Sequence, residues 1–83
     1  MNTVKEIIHR KLGKEQAHGL AFQEEGIIHI DSSLKGQYKL EILIHEILHI
    51  LQPKWGEDRV VGNAREISRC LYENNLRFIE DGQ

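Results

Sequence analysis

The sequence predicts an α+β fold: a small antiparallel or mixed β-sheet of two to three strands packed on a central helix, with an antiparallel C-terminal helix following it. Three observations carry this expectation. LEILIHEILHIL, residues 40 to 51, is apolar all round a helical wheel and too long for a buried strand. Residues from Glu57 onward repeat apolar side chains at three- and four-residue spacing. GIIHID, from Gly26 to Asp31, is short, β-branched and bounded by turn residues, which is a strand signal.

Taken in order, residues 3 to 12 are ambiguous. Val4, Ile7, Ile8 and Leu12 fit a helical period, whereas VKEIIH also tolerates a strand, and periodicity alone favours the helix slightly. His18 to Phe22 pairs with the GIIHID strand in a hairpin around Gln23 to Gly26, a loop length that leaves the turn type open. The first long helix runs from about Tyr38 to Gln52, where Pro53 ends it. The second begins near Glu57 and runs to about Phe78. Its inward stripe is Val60, Val61, Ala64, Ile67, Ser68, Leu71 and Tyr72, and Arg59, Gly62, Glu66, Arg69 and Glu73 lie on the solvated face. The short loop around Gln52 to Gly56 makes the two helices an antiparallel hairpin.

With 83 residues and neither a linker nor an internal repeat, residues 1–83 read as a single domain, close to the size below which a core alone stabilises poorly. The net charge of −2, with no basic run longer than Arg10-Lys11, argues against nucleic acid as a partner. No apolar stretch approaches the roughly 20 residues of a membrane span, and residues 1 to 15 lack a signal-peptide apolar region, so a cytoplasmic protein is expected. Cys70 is alone, which excludes an intramolecular disulfide framework and a Cys-rich zinc site. It reads as a helix residue without chemistry. Any metal must be held by His and carboxylate.

Those residue types occur together in His45-Glu46-Ile47-Leu48-His49, an HExxH motif. On a helix, side chains four apart stack on one face, so both imidazoles can meet one ion. Glu46 is rotated about a quarter turn from them and can act on a water beside the ion as a general base. Imidazole ligands favour zinc over magnesium or calcium. Short motifs arise by chance in a chain this rich in His and Glu. Here, however, the setting is an apolar helix, where two histidines and a carboxylate without partners would be costly to bury. The expected activity is therefore zinc-dependent hydrolysis of a peptide or protein substrate.

A zinc site open for catalysis wants three protein ligands. Glu57 is the first choice for the third, because it extends the inward stripe of the second helix toward the histidines. Its plainer reading is a first-turn carboxylate favoured by the helix dipole. Asp58 is rotated off the stripe, Glu66 points to the solvated face, and His29 shares a strand face with Ile27 and Asp31, opposite Ile28 and Ile30. All three remain alternatives. His9 and His18 have no metal-ligand spacing to anything, and Trp55 and Tyr72 read as packing aromatics, Tyr72 with a secondary role as an oxyanion donor.

From about residue 20 to residue 75, the GIIHID strand, the LEILIHEILHIL helix and the following EDRVVGNAREISRCLY helix resemble the small phage and bacterial zincin-like proteins, where a strand leads to an LIHELLH-type helix and then a second helix. The resemblance implies a minimal zincin-like fold with His45 and His49 on zinc and Glu46 as base. It also implies a strand rather than a helix over residues 3 to 9, and a strand beside the cleft whose edge an extended substrate could join. In the gluzincin branch a Glu opens the pattern Glu-x-x-Ala-Asp/Asn, which puts Glu57 in the ligand role. Val61 then stands where the pattern has a carboxylate that orients an imidazole. Two other functions compete with the peptidase: a non-catalytic, zinc-stabilised protein-interaction module, favoured by small size, and a regulatory protease domain acting with a DNA-binding partner. Oligomeric state is not legible.

Overall fold

A computed structural model of the chain describes residues 2–79. Three strands, β1 (Glu6–Arg10), β2 (Gly19–Phe22) and β3 (Ile27–Asp31), precede two helices, α1 (Gly36–Leu51) and α2 (Glu57–Glu73). The sheet is mixed, in the order β1-β3-β2, with β3 central, parallel to β1 and antiparallel to β2. Strand alternation sends Ile28 and Ile30 to one face, where they are fully buried against Ile42, Leu43, Ile47 and Ile50 of α1. His29 and Asp31 point the other way. The α+β expectation is thus met, and its finer structure is a mixed sheet with two free edges.

Residues 6 to 10 form a strand, against the slight helical preference of their periodicity. Three apolar positions spaced as in Val4, Ile7 and Ile8 cannot distinguish the two periods. The tertiary setting decides, because β3 offers an open edge that pairs Ile7 with Ile28 and Ile8 with His29. The pairing begins at Gly26, whose carbonyl accepts from the Lys5 amide at 2.7 Å. Gly26 also closes the β2–β3 hairpin by donating to the Phe22 carbonyl at 2.9 Å, with φ at +71°.

Helix α1 lies across the buried face of the sheet, and α2 packs back along α1 as an antiparallel partner. Val60, Ala64 and Ser68 are its buried line, and the Ser68 hydroxyl donates to the Arg65 carbonyl at 3.0 Å. Ile67, expected inward, is 39% exposed. The reason is that α2 rests mainly on α1, so its covered stripe is narrower than its apolar one. α2 also stops at Glu73, short of Phe78. Asn75 takes the left-handed conformation (φ 63°), the Leu76 amide donates to the Leu71 carbonyl at 2.9 Å and the Asn75 amide to Tyr72 at 3.1 Å, which is a Schellman stop with asparagine in the glycine place. Beyond it the chain folds back. Phe78 meets the Lys39 ammonium at 4.3 Å and the His9 ring edge-on at 6.0 Å. Among the described residues no helix is long and apolar enough to cross a membrane.

Because Gly26 has a positive φ, and a Cβ there would run into the carbonyl oxygen of Thr3, Gly26→Ala should strain both strand pairings at once. The expected cost is about 2 kcal/mol or more, read as a lowered midpoint in chemical denaturation.

Candidate metal centre

Helix α1 has the sheet on one flank and α2 on the other. One strip stays uncovered, and side chains seven and four residues apart, Tyr38, His45 and His49, share it. The His45 and His49 rings lie with centroids 4.7 Å apart, and their Nε2 atoms approach to 3.0 Å, one nitrogen donating to the other. From the first turn of α2, Glu57 reaches both. Its Oε2 is 3.4 Å from the His45 Nε2 and its Oε1 is 3.1 Å from the His49 Nε2. The structure thus brings Glu57 to the two histidines, and these three form the one group of metal-capable side chains found among the described residues.

The spacing suits a single ion. Tetrahedral bonds of 2.0 to 2.1 Å put ligand atoms about 3.3 Å apart; the two Nε2 atoms stand 3.0 Å apart, and each has a Glu57 carboxylate oxygen nearby, Oε2 at 3.4 Å from His45 and Oε1 at 3.1 Å from His49. Two imidazoles and one carboxylate are a donor set for zinc rather than for magnesium or calcium. Glu57, 63% exposed on its side chain, stands on the solvent side of the group.

The other candidates lie elsewhere. His29 is on the far face of the sheet, where its Nδ1 accepts from the Arg10 Nε at 3.0 Å and its ring meets Phe22 edge-on at 5.0 Å. Glu66 is engaged by Arg69 on the exposed flank of α2, and the Arg69 guanidinium holds its carboxyl below the ordinary glutamate value. Asp58 is exposed and outside the group. Tyr72 sits at the opposite end of α2, its ring under the Arg77 guanidinium at 3.9 Å and its hydroxyl beside Gly36, about 20 Å along the helix from Glu57. It therefore cannot serve an oxyanion at the histidines. At that same far end Leu40, Leu43, Leu71, Leu76, Arg77 and Phe78 line an apolar pocket of about 300 Å³, remote from these donors.

Glu46 is 9% exposed, packed where β2 crosses α1. Burial, and secondarily the Glu57 charge, push its carboxyl up to about 7. Burial also lowers the His45 pKa; Glu57 opposes that shift and His49 adds to it. Glu41, one turn before His45, opposes it as well and lies 3.8 Å from the Arg65 Nε across the helix pair.

Several contacts here were not anticipated from the sequence. His18 Nδ1 is hydrogen-bonded to the Tyr38 hydroxyl at 2.7 Å, the Gln23 side-chain amide donates to the His49 carbonyl at 2.7 Å, and Gly19 lies against Glu46. A glycine inside a strand does signal close approach of another group, and Tyr38 two turns before His45 signals a shared face. Neither signal names its partner. Comparison with protein-family models, curated proteins and solved structures returned no match.

Two measurements probe this geometry. Glu57→Gln should weaken zinc binding by roughly tenfold or more, about 1.4 kcal/mol, in a competition titration, while Glu66→Gln leaves it unchanged; equal losses would remove Glu57 from the donor set. The second concerns pH in the metal-free protein. Because the Glu46 pKa is raised by folding, its contribution to stability is complete below about pH 4.5 and is lost as pH rises through about 7. His45, lowered by folding, works in the opposite sense, contributing above about 6.5 and losing that contribution as pH falls. Comparing wild type with Glu46→Gln isolates the carboxyl: between pH 5 and pH 8, with a chelator present, the variant should gain on wild type by up to about 3 kcal/mol in denaturant unfolding.

Proposed function

We propose that the chain is a zinc-dependent metallopeptidase of minimal zincin-like form, with His45, His49 and Glu57 holding the ion and Glu46 as general base. The observation that supports it most directly is the convergence of two imidazoles and one carboxylate, the two Nε2 atoms 3.0 Å apart and each 3.1 to 3.4 Å from one oxygen of Glu57, beside a buried carboxyl whose pKa lies near 7. When bound, zinc would lower the pKa of water and polarise a scissile carbonyl.

The remaining chemistry belongs to the chain. A carboxyl titrating near neutrality exchanges a proton easily in either direction, so Glu46 can take the proton of the attacking water and deliver it to the leaving amine. Its burial keeps bulk water from competing for that proton. Glu57, from the other helix, orients the two imidazoles by meeting both Nε2 atoms. The free edge of β2, running beside α1, is where an extended peptide would add its backbone. We place the protein in the cytoplasm, as the charge-interrupted apolar stretches of the sequence lead one to expect.

A second reading, a zinc-stabilised interaction module, draws on one observation: the donors come from both helices, so an ion held by them would clamp α1 to α2. Glu46→Gln separates the two. It keeps size and hydrogen bonding while removing the base. For a peptidase the variant should retain zinc and fold and lose roughly 10²- to 10⁴-fold in cleavage of a susceptible peptide. Cleavage undiminished in the variant would overturn the mechanism. A wild type silent across a broad peptide library, with zinc bound stoichiometrically, would favour the module.

A further inference from the structure

We propose that β2 is a strap pinned to α1 at both ends, with Gly19 as the positioning residue that sets where the Glu46 carboxylate stands. The inference rests on the role given to Glu46 above only for its catalytic consequence; the positioning itself is a matter of packing.

A Cβ built on Gly19 would fall 2.9 Å from the Glu46 Cγ, 2.9 Å from the Glu46 Oε2 and 2.9 Å from the Ile42 Cγ2. Carbon atoms in ordinary contact stand about 3.5 to 4.0 Å apart, so no side chain fits without movement of the neighbours. Gly19 has no positive φ, unlike Gly26 and Gly36, so the demand for glycine here is one of clearance and not of backbone conformation. The strand backbone itself is the wall against which the Glu46 side chain lies.

That wall is tied down on either side. At one end the His18 Nδ1 and the Tyr38 hydroxyl meet at 2.7 Å, with the two rings edge to face at 5.4 Å. At the other the Gln23 amide donates to the His49 carbonyl at 2.7 Å. From 18 to 23 an extended chain advances about 16 Å, and from 38 to 49 a helix advances about the same. The two ties therefore span matching lengths of strand and helix, and between them Gly19 lies against Ile42 and Glu46. β3 holds β2 from behind through its ladder, to which the Asp31 amide adds a bond to the His18 carbonyl at 2.9 Å. With both ends tied and the back paired, the strand backbone yields less readily than two side-chain ends, so a larger residue at 19 displaces the Glu46 carboxylate together with the Ile42 methyl.

The test uses the full chain with Gly19→Ala, and Gly13→Ala as control, since a Cβ at Gly13 meets nothing within 4 Å. The Glu46 carboxyl carbon resonance, assigned in ¹³C-labelled protein by its loss in Glu46→Gln, should move in Gly19→Ala and not in Gly13→Ala. Without metal, Gly19→Ala should lower the folding equilibrium constant at least tenfold more in the wild-type background than in Glu46→Ala, where two of the three close atoms are gone. If Gly19→Ala alone fails to fold, recovery of folding in the Gly19→Ala, Glu46→Ala pair supports the proposal, and failure of the pair overturns it. Zinc stoichiometry should stay at wild-type level, with peptide turnover falling at least tenfold and KM little changed. An unmoved resonance together with equal cost in both backgrounds overturns the proposal, as does full turnover in Gly19→Ala. A wild type without peptidase activity, but with the resonance moved and the coupling present, leaves the strap standing and removes the peptidase reading.

Discussion

The packing of α1 between two partners decides where the polar groups of this chain can go. β3 presents Ile28 and Ile30 to one flank of the helix, and α2 presents Val60 and Ala64 to the other, all four fully buried. What these surfaces leave uncovered is a single strip of helix. Imidazoles can occupy that strip because they keep one edge toward solvent, and residues four apart on it stand one above the other. Glu46 falls on the flank under β2, where a carboxylate loses its water. Its raised pKa is a direct consequence of the helical angle between it and His45.

Electrostatics at the strip are balanced around Glu57. Its charge supports protonation of His45 and also discourages ionisation of Glu46. The 3.0 Å approach of the two Nε2 atoms is met when one imidazole donates its Nε2–H to the lone pair of the other. A divalent positive charge at the same place would favour neutral imidazoles and an ionised Glu46, the forms needed for ligation and for base catalysis.

Much of the fold was legible in the sequence because its strongest signals are long. Sixteen residues of α1 carry an unambiguous pattern, and its observed bounds, Gly36 to Leu51, differ from the expected Tyr38 to Gln52 by one or two residues. The strand β3 and its hairpin were equally clear from β-branching and turn residues. Legibility fell where a short segment depends on something distant. Periodicity left residues 3 to 12 open and only the resemblance favoured a strand there; β1 forms because an edge of β3 awaits it, and its own five residues do not hold that information. The end of α2 was overshot because an Asn-Asn pair looks unremarkable on a solvated face, while Asn75 in the left-handed region stops a helix as glycine would. At the site, HExxH fixes local geometry within one helix, and Glu57 followed from the register of α2. Gly19, His18 and Gln23 were invisible as neighbours of the motif because strand-to-helix alignment is a property of the packed molecule.

One division of labour follows from where the two carboxylates sit. α2 packs chiefly on α1, so the integrity of the helix pair depends on the Val60, Ala64 and Ser68 line and on whatever joins Glu57 to the histidines. Glu57 is exposed and reaches across from a separate element; its role is to tie two helices, and it would be useful to an enzyme and to a scaffold alike. Among the described residues no side-chain hydrogen bond or ion pair holds Glu46. It is buried beneath a strand with its carboxyl held near neutrality, a placement that lowers the stability of the metal-free fold as pH rises through about 7. Residues that cost stability are expected at working sites. The case for catalysis in this chain therefore rests on Glu46 and the backbone at Gly19 that confines it, more than on the two histidines that make the motif conspicuous.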